Sequence, residues 1–205
     1  MSASAADSSH TPLSVGDAVP EVKFQTRVRT SAAGDNPFDW LERTSSDYFK
    51  NKRVVIFALP GAFTPTCSTT HLPGYMEAYD EIKGLGVDEI YCLSVNDAFV
   101  MRQWGLAQGL EEDKTPGSLG FTGVKLIADG AATFTRAMGM STMWDSERGF
   151  GERSWRYSAV FNDMKIEKLL IEGETDAPVQ NSDPDPFEVS DSGSMLSYLR
   201  TVDPK

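Results

Sequence analysis

Cysteine and histidine are scarce in this chain, with two of each among 205 residues. Cys67, Cys92, His10 and His71 are too few and too scattered for a closed zinc site, so no metal site is expected. Two cysteines cannot staple a disulfide framework, and a chain of this length buries a full core without one. No Cys-x-x-Cys pair is present, which excludes a dithiol redox motif, and no cysteine follows Cys92. Basic residues are also short, 19 against 30 acidic ones, for a net charge of −11. That balance opposes nucleic acid and anionic membrane surfaces as partners. Neither a secretory signal nor an apolar run long enough to cross a membrane is visible. Residues 1–12 lack Lys and Arg, which makes a poor transit peptide; they read as a disordered tail ahead of one domain over 13–205. The expected location is a reducing compartment, the cytoplasm.

Against these absences, one segment is dense in information. Val54 to Leu59 is a continuous apolar, β-branched run of the kind that forms a strand buried on both faces. Pro60 and Gly61 stop it. Leu72, Tyr75, Met76, Tyr79 and Ile82 then recur at helical spacing, which predicts one helix over 66–83. Cys67 falls in its first turn, where Pro65 is tolerated and Thr64 or Thr66 can cap. Unpaired backbone N–H groups and the positive end of the helix dipole favour S⁻ over S–H there. An inert structural cysteine belongs among apolar neighbours in mid-element, not behind Gly-Pro-Thr punctuation.

Strand 53–59, helix 66–83 and strand 88–95 make a βαβ unit with parallel strands. Asp97 caps a helix through Gln108; a strand over 124–128 and a short helix near 131–137 follow. Residues 155–161 and 165–172 alternate around Asn162-Asp163, which predicts a hairpin. Residues 173–190, acidic and with three prolines, read as a surface loop, and a last helix carries Met195, Leu196 and Leu199 behind a Ser190 or Asp191 cap. The expected class is α/β, a mixed central sheet flanked by helices. Between Met138 and Trp155, Met140, Met143, Trp144 and Phe150 lie in an irregular, Gly-containing stretch; such residues are usually core, and strung along a loop they alternatively make an exposed apolar patch.

Pro60, Thr64 and Cys67 together resemble the peroxidatic-cysteine loop of peroxiredoxins: Pro, three residues, Thr, two residues, Cys. The runs Pro60–Gly74 and Leu93–Val100 are similar to the atypical, peroxiredoxin 5-type branch. The resemblance covers roughly residues 13–200 and implies a thioredoxin-like fold, a homodimer, no cofactor, and a thiol peroxidase acting on hydrogen peroxide and small alkyl hydroperoxides. Among Arg102, Arg136, Arg148, Arg153 and Arg156, the residues alone choose none as the thiolate's partner. The resemblance selects Arg156, in Arg156-Tyr157-Ser158.

Ionisation alone makes no fast peroxidase. An ordinary thiol is about 3% thiolate at pH 7, and lowering its pKa by ~2.5 units gains about 30-fold. The accompanying loss of nucleophilicity returns roughly 10-fold of that. Donors must therefore polarise the O–O bond, and the expected set is the Cys67 N–H, the Thr64 hydroxyl and Arg156, with Pro60 shielding the thiolate. His71 is expected to pack or hydrogen-bond, because the helix carries it away from the loop, and Trp104 to pack behind the pocket. Cys92, in a central strand, reads as structural.

The late resolving cysteine of some peroxiredoxin 5-type proteins has no counterpart here, which implies a one-Cys mechanism reset by glutathione, glutaredoxin or thioredoxin. Around Gly149–Ser158 and Asp183–Leu199 the chain is also similar to bacterial peroxiredoxin–glutaredoxin fusions. A redox-sensing or chaperone-like protein using Cys67 as a switch is the competing reading.

Overall fold

The structure is a computed structural model and describes residues 11–30, 37–173 and 185–202. Its strands are β1 (Lys23–Arg29), β2 (Phe38–Thr44), β3 (Arg53–Leu59), β4 (Glu89–Ser94), β5 (Lys125–Ala128), β6 (Ser141–Trp144), β7 (Gly151–Ser154), β8 (Tyr157–Asn162) and β9 (Lys165–Ile171). Its helices are α1 (Ser45–Phe49), α2 (Leu72–Glu77), α3 (Tyr79–Gly84), α4 (Ala98–Ala107), α5 (Thr133–Ala137) and α6 (Ser192–Leu199).

Every residue of β3 is buried, and it lies at the centre of a sheet ordered β5-β4-β3-β8-β9. β3, β4 and β5 run parallel, while β8 is antiparallel to both β3 and β9. The expected parallel and antiparallel halves thus meet on one strand. Val55, Phe57 and Leu59 pack toward Cys67, Leu72, Tyr75 and Trp104; Val54, Ile56 and Ala58 pack toward Phe49, Tyr91, Phe134 and Trp155. Both faces of β3 are covered, which is why its sequence is apolar without alternation.

The expected single helix over 66–83 is divided. Cys67–His71 is a wide turn in which the Leu72 N–H bonds the Cys67 carbonyl, five residues back, and the chain breaks again at Ala78 between α2 and α3. Pro73 accounts for the first interruption: it has no N–H to donate and its ring crowds the preceding turn. The β8–β9 turn is shifted by one residue, since Asp163 and Met164 take the positive φ values, 46° and 64°. Asp191, and not Ser190, caps α6.

The stretch before β8 is ordered where an irregular one was expected. β6 and β7 pair, and Met138, Met140 and Trp144 are buried, leaving Met143 exposed. The β1–β2 hairpin escapes the sequence because its alternation is blunted: only Phe24 and Val28 of β1 are buried, and β2 buries nothing fully. Of the expected tail, residues 1–10 lie outside the described residues; Pro12 is buried, and Gly139 sits so close that a Cβ there would stand 2.3 Å from the Thr11 carbonyl oxygen.

α4 is seated on β5 through Gly105, where a Cβ would stand 2.5 Å from Phe121 Cζ and 2.8 Å from a Leu126 methyl. Gly105→Ala is expected to lower the unfolding free energy by about 1–3 kcal/mol through overpacking, read by urea denaturation.

Candidate active site

β3 ends at Leu59, and the chain turns at Pro60 into a loop held from behind. Because β3 and β4 are parallel, their C-terminal ends lie side by side, and Asn96, just past β4, reaches the loop. Its Oδ1 accepts from the Ala62 N–H at 3.0 Å and from the Ser94 hydroxyl at 2.7 Å. Arg153 braces the same place, donating to the Val95 and Phe150 carbonyls, and leaves 3.2 Å between Nη1 and where a Gly61 Cβ would be. Phe63 is exposed and adopts φ 64°, a strained turn for a residue with a Cβ.

The Thr64 hydroxyl donates to the Gly61 carbonyl at 2.7 Å, so it closes the loop and does not cap the helix; Thr66 makes no side-chain cap either. The Thr64 carbonyl accepts the Ser68 N–H instead. Cys67 follows, with no surface exposed. Ser68 is fixed from the other side by Trp104 Nε1, which donates to its hydroxyl at 3.0 Å, so the buried Trp104 does pack behind the site.

Arg156 arrives through sheet register. Tyr157 pairs with Ala58, so the residue before it lies where β3 gives way to the loop. Its side chain is fully buried and all three of its nitrogens are engaged. Nη1 donates to Cys67 Sγ at 3.5 Å and to His71 Nδ1 at 3.1 Å. Nε and Nη2 donate to the Asp185 carboxylate at 3.2, 2.5 and 2.6 Å. Burial acts to lower the Arg156 pKa, but the Cys67 and Asp185 charges outweigh it and the value is raised.

His71 therefore packs and hydrogen-bonds as expected, but it does so within the cluster, where the helix was expected to carry it away from the loop. Cys67 and His71, four residues apart across the wide turn, lie on one face of it. Its tautomer is fixed by its partners: Nε2 donates to the Ser190 carbonyl at 3.2 Å, leaving Nδ1 as the acceptor for Arg156. Burial, then the Arg156 charge, holds its pKa well below the ordinary 6.5.

Residues 185–190, read from sequence as part of a surface loop, return to this site; the rest of that segment, 174–184, lies outside the described residues. Phe187 packs against His71 and Arg156 at 4.9 and 5.6 Å. The buried Glu172 carboxylate fastens the segment by accepting the Glu188, Val189 and Ser190 N–H groups and the Ser190 hydroxyl, at 2.7–3.0 Å. Tyr75 also donates to the Ser190 carbonyl at 2.9 Å. Sequence reading missed Asn96, Asp185 and Glu172, none of which lies in a recognisable spacing with Cys67.

A cleft of about 210 Å³ opens beside the cluster, lined by Pro60, Thr64 and Thr66 of the Cys67 loop and by Trp144, Arg148 and Asp185 among others. Hollows of about 490 and 470 Å³ lie elsewhere, away from the Cys67 loop.

The Redoxin family profile matches residues 14–184. The chain is 51% identical to peroxiredoxin sll1621 of Synechocystis sp. over 183 residues, 89% of each chain. It belongs to the peroxiredoxin family. Its branch is the peroxiredoxin 5 type: it is 44% identical over 184 residues to hybrid peroxiredoxin hyPrx5 of Haemophilus influenzae, covering 90% of this chain and 65% of that one. The solved Plasmodium falciparum antioxidant protein, a 1-Cys peroxiredoxin, superposes with a TM-score of 0.78 at 31% identity, over 91% of this chain and 99% of that one.

In this peroxiredoxin Cys92 lies on β4, packed in the same core cluster as Cys67, and both thiols are free. Burial pushes the Cys92 thiol well above its ordinary value, and the neighbouring Cys67 charge adds to that. It is thus held protonated, as a structural cysteine would be.

Burying His71 neutral couples folding to pH. The unfolded chain binds a proton near pH 6.5 that the native state refuses, so stability is whole above that value and falls as pH drops below it. Compared with His71→Asn, the wild type should lose stability with an extra slope approaching about 1.4 kcal/mol per pH unit below about pH 6, measured by urea unfolding across the acid range.

Proposed function

We propose that this peroxiredoxin reduces hydrogen peroxide and small alkyl hydroperoxides at Cys67 by a one-Cys mechanism. The observation that carries the reading is the Arg156 guanidinium 3.5 Å from a buried Cys67 sulfur, with a cleft lined by Pro60 and Thr64 of the same loop beside it. A permanent cation at that distance stabilises negative charge on the sulfur before reaction and on the oxygens during it.

The sulfur lone pair attacks one peroxide oxygen, the S–O bond forms as the O–O bond breaks, and the leaving oxygen takes a proton to become water or an alcohol. Sulfur is oxidised by two electrons to Cys67-SOH and the peroxide is reduced by two. Thr64, with its proton committed to Gly61, offers its oxygen to accept the peroxide O–H, which aligns the O–O bond with the sulfur. The Cys67 N–H, in a first helical turn with no partner four residues back, and Arg156 Nη1 supply the donors. Pro60, buried beside the thiolate and without an N–H, keeps water from it.

The sulfenic acid is then reset by two equivalents of an external thiol, which leave as a disulfide and water. Glutathione with glutaredoxin, or thioredoxin, is the reductant class. The support is that Cys92 is buried and held protonated on β4, and that a hyPrx5 relative shares the sequence. We infer further that the chain acts as a homodimer in the cytoplasm, with exposed Phe63 on the Cys67 loop the apolar residue best placed to meet a second copy.

Stopped-flow mixing of reduced protein with hydrogen peroxide should show oxidation far faster than that of free cysteine; a rate no greater would end the peroxidase reading and favour a slow redox switch. Cys67→Ser should abolish turnover and Cys92→Ser leave it nearly intact, loss of recycling in the latter being the result against a one-Cys cycle. Arg156→Ala should slow oxidation roughly 100- to 1,000-fold. Steady-state assays with glutathione, with and without glutaredoxin, against thioredoxin should single out one donor.

A further inference from the structure

Asp185 has no part in the steps above, yet its carboxylate engages two of the three Arg156 nitrogens, Nε and Nη2. Its position is fixed, because the next few residues are tied down: Phe187 lies against the guanidinium, and the Glu188, Val189 and Ser190 N–H groups are held by Glu172. The side chain is 30% exposed and lines the cleft beside Thr64 and Thr66. It is thus both a partner of Arg156 and part of the wall an incoming peroxide meets.

A guanidinium takes a carboxylate bidentately along an edge, and here the Nε/Nη2 edge is filled from within the chain, while Nη1 faces Cys67 and His71. We propose that Asp185 determines specificity by charge: it occupies the seat on Arg156 that an acidic substrate group would take, so that the site accepts neutral hydroperoxides and turns away those bearing a carboxylate. This rests on the peroxidase reading. Thiolate, Arg156 and Asp185 sum to one negative charge before any substrate arrives. Among the described residues Arg148 is the cation that lines the cleft, and it is paired with Asp145 at 3.0 Å; His71 accepts from Arg156 as a neutral ring, and Arg153 lies behind the loop, donating to the Phe150 and Val95 carbonyls. Hydrogen peroxide and simple alkyl hydroperoxides are uncharged near neutral pH and meet no such repulsion. Their oxygens need only Nη1, the nitrogen that faces the sulfur.

The test uses hydroperoxyhexanoate and its methyl ester, alike except for the charge. Oxidation of the reduced full chain by each is followed in stopped flow by tryptophan fluorescence. The wild type should prefer the ester by about ten-fold or more, the size of a partly screened charge contact. Asp185→Asn and Asp185→Ala should both lose most of that preference, whatever happens to the absolute rates. Two variants are needed because an asparagine amide group can also disturb the guanidinium. A parallel fall for both substrates would mark Asp185 as a positioning residue only, and an unchanged ratio, or no preference in the wild type, would equally overturn the proposal. A wild type that reacts rapidly with neither the ester nor hydrogen peroxide would instead overturn the peroxidase reading, and this inference with it.

Discussion

The guanidinium of Arg156 is the constraint on which the site depends. A fully buried cation is costly unless its donors meet acceptors, and here Cys67, His71 and Asp185 together engage all three of its nitrogens. Each of those acceptors is in turn held. Cys67 is fixed by its helical turn, His71 by the Ser190 carbonyl, and Asp185 by the segment that Glu172 clamps. Removing one partner would leave a buried charge short of an acceptor, so the cluster behaves as a unit.

The same arrangement explains how one arginine serves two ends. Nη1 faces the thiolate, where charge moves during reaction; Nε and Nη2 face Asp185, where it does not. Orientation comes from the static side and stabilisation from the reactive one, with no reorganisation demanded at the moment of bond breaking. The loop is prepared in a similar way, since Asn96, Arg153 and Trp104 brace it from behind while Thr64 and Pro60 face the cleft.

Much of the fold was legible because its signals are local. β3 announced itself by an uninterrupted apolar run, α4 by its Asp97 cap, and the β8–β9 hairpin by alternation around a turn. What stayed hidden is equally specific. The division of the helix after Cys67 hinges on Pro73, which the periodicity of Leu72, Tyr75, Met76, Tyr79 and Ile82 passes over. β1 and β2 carry too few buried side chains to alternate clearly, and β6–β7 sits among Met and Gly residues whose periodicity is weak.

Thus the sequence by itself determined where the nucleophile is: Pro60, Thr64 and Cys67 are neighbours along the chain, and strand, stop and helix start follow from residues within a few positions of each other. Family likeness added Arg156. The tertiary structure alone decided what surrounds them, bringing His71 onto the guanidinium through a widened turn, and Asp185 and Ser190 onto the site through a segment anchored by Glu172. Such contacts join residues 29 to 119 positions apart, and they depend on strand register and on which buried carboxylate captures which backbone, neither of which leaves a periodic trace.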